Sequence, residues 1–65
     1  MTKKEMVNAM VNSLNAIRGK ELSPSIINTM LKQPKAVIER AWNGYLDLKV
    51  TLFEAVAILG NTIIK

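Results

Sequence analysis

Apolar residues recur at spacings of three and four along four segments of the chain, and polar residues fill the positions between them. That period lines up one face of an α-helix, so each segment is read as a helix with one buried and one wet side. The first opens at Thr2 and Glu5, a T-x-x-E pair in which each side chain satisfies a backbone N–H of the first turn. It predicts a helix over about 3–18, with Met6, Val7, Met10, Val11, Leu14 and Ile17 inward, Asn8, Asn12 and Asn15 outward, and Gly19 as a left-handed stop. Ser23 and Pro24 then combine an N-cap with a first-turn proline and predict a short helix over about 24–32. Its inward residues are Ile26, Ile27, Met30 and Leu31; Ser25, Asn28, Thr29 and Lys32 point out, and Pro34 disfavours helical geometry at Gln33.

Pro34 itself is read as the first residue of a third helix over about 34–47, which buries Val37, Ile38, Ala41, Trp42, Tyr45 and Leu48. So tight a junction between the second and third helices suits a sharp corner better than an antiparallel hairpin. Gly44 lies inside this pattern at a cost of about 1 kcal/mol. It is read as a point where another helix approaches closely beside Trp42 and Tyr45, with a bend as the alternative. The run LKVTLF alternates like a strand, but no second such run exists to pair with it. Thr51 and Glu54 repeat the T-x-x-E pair, so a fourth helix is predicted over about 52–64, burying Leu52, Phe53, Val56, Leu59 and Ile63. The expectation is an all-α, compact bundle of four short helices in a single domain, residues 1–65, with Val37, Trp42, Tyr45 and Phe53 at its centre.

Composition narrows the functions such a bundle can serve. With 65 residues, 49% of them hydrophobic and 22% charged, the chain has the makings of a folded domain near the lower size limit for folding without a disulfide or metal. It contains no cysteine and no histidine, which removes thiolate chemistry and the commonest general base and metal ligand. Its carboxylates are scattered; Glu39 and Asp47 share a helix face two turns apart, too far to act as a close pair. Gly19 and Gly60 stand alone and belong to no glycine-rich phosphate loop. A non-catalytic protein is expected, with no cofactor, no metal and no small-molecule substrate.

Net charge of +4 and a pI near 9.8 favour anionic partners. No apolar run reaches the roughly 18 residues of a membrane span. Asn8, Asn12, Ser13 and Asn15 interrupt the apolar positions near the amino end, unlike the core of a secretory signal, so a cytoplasmic location is expected. Basic residues are scattered along the chain rather than lining one amphipathic face, which disfavours a membrane-active peptide.

Two surfaces remain as candidates. On the fourth helix, Glu54, Ala57, Ile58 and Asn61 share what should be the wet face, yet that face offers little polar cover. It predicts a protein interface, either between two copies of the chain or with another protein, and a small regulatory or adaptor role. The second surface lies in AIRGKELSPSIINTML, Ala16 to Leu31, which resembles the turn and recognition helix of repressor-type helix-turn-helix regulators. That resemblance implies DNA binding, with Ser23, Ser25, Asn28, Thr29 and Lys32 facing the major groove and Arg18, Lys20 and Lys35 on phosphates.

Overall fold

The computed structural model describes residues 1–64 and contains four α-helices, α1 (Lys3–Arg18), α2 (Pro24–Lys32), α3 (Lys35–Leu46) and α4 (Leu52–Gly60). The fold is an all-α four-helix bundle. Both α1 and α4 pack against every other helix, whereas α2 and α3 scarcely touch each other. Only Gln33 and Pro34 separate α2 from α3, and the extended backbone at both (ψ 147° at each) turns the corner expected there. Pro34 caps α3 instead of opening it, and the helix begins one residue later.

Both T-x-x-E pairs form. The Thr2 N–H donates to Glu5 Oε1 at 2.9 Å while the Glu5 N–H donates to Thr2 Oγ1 at 3.1 Å. At α4 the corresponding Thr51 and Glu54 distances are 3.3 and 3.1 Å. Helix α1 stops at Gly19 (φ 72°), whose N–H donates to the Asn15 carbonyl. The fourth helix is shorter than expected because Asn61 takes the left-handed conformation (φ 54°) and the Thr62 N–H closes back on the Ala57 carbonyl. Asparagine accepts that geometry more readily than most residues. Residues 61–64 therefore leave the helix, and Ile63, expected in the core, is 83% exposed.

The core is aliphatic and rich in methionine rather than aromatic. Met6, Val7, Met10, Val11 and Leu14 of α1 meet Met30, Ile38, Leu52, Ala55, Val56 and Leu59, with Leu22 closing one end. Trp42, Tyr45 and Phe53 are only half-buried against this cluster, contrary to the central place expected for them. Short helices enclose a thin core, in which an unbranched thioether fits irregular gaps and an indole does not fit whole. Trp42 instead lies at the edge, tilted 52° against Tyr45 with ring centroids 5.9 Å apart.

Two further residues depart from the expected α1 stripe. Ile17 is exposed, and Asn15, expected on the wet face, is half-buried and accepts the Leu22 N–H on Oδ1 at 2.9 Å. This bond folds the link after α1 inward, so Leu22 rather than Ile17 reaches the core. Gly44 does permit a close approach, but by the link and not by a helix: a Cβ there would lie 3.2 Å from Val50 Cγ2. The tighter helix contact is at Gly60, where a Cβ would lie 2.7 Å from Ile26 Cγ2. Nearby, Gln33 Nε2 donates to the Leu59 carbonyl at 3.1 Å and ties the α2–α3 corner to α4.

Candidate interaction surfaces

The α3–α4 hairpin carries an open groove of about 220 Å³ lined by Val37, Arg40, Ala41, Val50, Ala55 and Ile58. Its origin is simple helix geometry. Val37 and Ala41 on α3 and Ile58 on α4 line the same groove, so these flanks of the two helices face one another across it. Ile58 is 60% exposed. Among the described residues the cation in the lining, Arg40, forms no ion pair, whereas Lys35 reaches Glu39 at 3.9 Å one turn earlier.

Of the residues expected at a protein interface, only Ile58 enters this groove. Glu54 is exposed and holds its capping bond, Ala57 is half-buried, and Asn61 is exposed as the left-handed residue ending α4. The groove's other wall comes from Val37 and Ala41, which the helical period assigned to the interior, and from Val50 in the link. Periodicity marks which side of a helix is apolar; it does not say where the neighbouring helix stops covering that side.

Beyond Val50 the surface continues into a second depression of about 340 Å³, lined by Tyr45, Leu48, Lys49, Val50, Thr51, Leu52 and Glu54. Leu48, expected on the inner face of α3, lies past the end of that helix and is 90% exposed. It has φ 60°; the Lys49 N–H donates to the Gly44 carbonyl at 2.9 Å and the Leu48 N–H to the Tyr45 carbonyl at 3.2 Å. These bonds make a left-handed helix stop of the kind that glycine usually occupies. A leucine there carries a conformational cost of about 1–2 kcal/mol, and its exposed side chain recovers none of it within the monomer.

The α2 surface is more modest. Ser25, Asn28 and Lys32 are exposed along one face of the helix. Ser23 occupies the N-cap position without a side-chain capping bond; its Oγ lies 3.2 Å from Ser25 Oγ. The half-buried Thr29 donates its hydroxyl to the Ser25 carbonyl at 2.9 Å. Arg18 is half-buried, and Lys20 and Lys35 are exposed. Residues 19–23 connect α1 to α2.

A third depression, about 230 Å³, is lined by Met1, Met6, Lys35, Glu39, Trp42 and Asn43. Among the described residues no cluster of His, Cys, Asp or Glu is placed to hold a metal ion, and no helix is long and apolar enough to cross a membrane. The fold and surfaces thus define a small all-α four-helix protein with an uncovered apolar groove. Compared with protein-family models, curated protein sequences and solved structures, the chain matches none.

Proposed function

We propose that the protein is a non-catalytic association module, regulatory or adaptor in role, that self-associates through the α3–α4 face. The observation that carries this reading is the groove between Val37, Ala41, Val50 and the exposed Ile58. A domain this small gains stability by covering such a face with another copy. Ile58→Lys tests it, because the residue is exposed in the monomer and its replacement leaves the core intact. In sedimentation or light scattering over a concentration series, the parent is expected to dimerise and the variant to remain a helical monomer. A parent that is monomeric at several hundred micromolar overturns the reading.

A second reading, duplex DNA binding through α2, draws support from the exposed row Ser25, Asn28 and Lys32 together with the net charge of +4. Phosphate contacts release counterions, so affinity would fall steeply with salt, and Lys32→Ala would reduce the magnitude of that log–log slope by about 1. Sequence readout further requires that Asn28→Ala relax the preference for one duplex over another. Binding indifferent to both changes rules this reading out.

A further inference from the structure

From the α3–α4 hairpin we infer a reciprocal knob-and-hole contact between two copies of the chain, in which Leu48 of each copy enters the groove beside Ile58 of the other. The inference rests on the self-association reading and names the residues that make it specific. Leu48 supplies the knob, since it projects almost fully into solvent from a backbone conformation that favours glycine. The hole is the groove lined by Val37, Ala41, Val50, Ala55 and Ile58. Apolar cavities of about 150 Å³ take up benzene, so about 220 Å³ has room for an isobutyl group.

Two features point to a second copy of this chain as the occupant. Knob and hole adjoin, because Val50 lines both the groove and the depression around Leu48. A two-fold axis passing near Val50 can therefore engage both at once, as a closed, isologous contact requires. The charges also complement each other under that rotation. Glu54 stands beside the knob and Arg40 beside the hole, so seating one in the other brings the carboxylate of each copy towards the guanidinium of its mate. Among the described residues, one Glu54 carboxylate oxygen is engaged, with the Thr51 N–H. The other is open to Arg40. Lys49 flanks the knob as well, and its flexible stem can carry its ammonium away from Arg40 into water.

The test turns on Leu48→Gly, which removes the knob and relieves the left-handed backbone. The expected result is a variant whose melting temperature at low, monomeric concentration equals or exceeds the parent's, but whose dimer dissociation constant rises at least about tenfold. Because the chain has no cysteine, mixing Leu48→Cys with Ala41→Cys gives a direct proximity readout. A disulfide between the two different variants is expected in preference to either homodimer. If Ile58→Lys abolishes association while Leu48→Gly leaves it unchanged, the contact is real and the knob is not Leu48. A parent that never associates overturns both. A Leu48→Cys homodimer as the main product indicates tip-to-tip packing and refutes the reciprocal arrangement, and growth of the parent into open chains refutes the two-fold.

Discussion

At the scale of single residues, the decisive contacts are those in which a missing or small side chain sets how near two elements come. Gly60 is the clearest. It is buried at the end of α4, and the methyl that a Cβ would meet belongs to Ile26, a β-branched residue with little freedom to turn aside. Gly60→Ala adds helix propensity but forces α2 and α4 apart or Ile26 off its rotamer. A net loss of about 1–3 kcal/mol is expected, measured as a lower midpoint in urea with an unchanged slope. Asn15 shows the same dependence on spatial position. Its residue type reads as polar surface, yet its side chain holds the Leu22 N–H that folds the following link. Nothing in the spacing of Asn8, Asn12 and Asn15 distinguishes it, because its partner lies in the next segment and not in the helix.

At the scale of elements, the helix ends were legible in the sequence wherever the stop or start is a local bargain between adjacent residues. Both T-x-x-E pairs and the glycine after α1 are of this kind, and all three formed. The pair at α1 has a consequence for pH. The Glu5 carboxylate is held below its ordinary value of 4.5, chiefly by the backbone N–H of Thr2 and then by the Thr2 side chain, with a smaller contribution from the N-terminal ammonium. Since the folded value is lowered, the first turn is fully supported above the unfolded value and loses that support as pH falls through the folded one. Fraying of residues 2–5 is therefore expected in acid before the rest of α1 opens. Thr2→Ala removes the side-chain part of that lowering and keeps the backbone donor, so it should move the Glu5 carboxyl titration, followed by carbon-13 NMR, part of the way up towards 4.5. A parent titration already at 4.5 would mean that the pair does not persist in solution.

For the molecule as a whole, a core rich in methionine offers a chemical readout of global opening. Met6, Met10 and Met30 are at most 2% exposed, whereas Met1 is 63% exposed. Dilute peroxide should therefore oxidise Met1 quickly and the other three only as fast as the fold opens, with mass spectrometry of peptides resolving the sites. Conditions that favour self-association should slow the buried three further if pairing stabilises the native state, and leave Met1 unaffected. Early oxidation of Met30 would place it in a locally mobile α2 rather than in the cooperative core.

The sequence alone determined the number of helices, most of their boundaries and the apolar face of each, because these depend on period, capping and turn chemistry within a few residues. It also marked Ile58 as an apolar residue on a face that should be wet. Which apolar residues end up inside was a different matter. The tertiary structure placed Trp42 at the edge and Met30 in the centre, exchanged Ile17 for Leu22, and left Val37 and Ala41 lining an open groove. Those outcomes depend on how far each helix overlaps its neighbours and how thin the space between them is. Leu48 combines both kinds of information. The apolar period carried it into α3, while the folded chain took a left-handed turn at Leu48 that satisfies the Gly44 and Tyr45 carbonyls and packed Val50 against Gly44, leaving Leu48 exposed in the link.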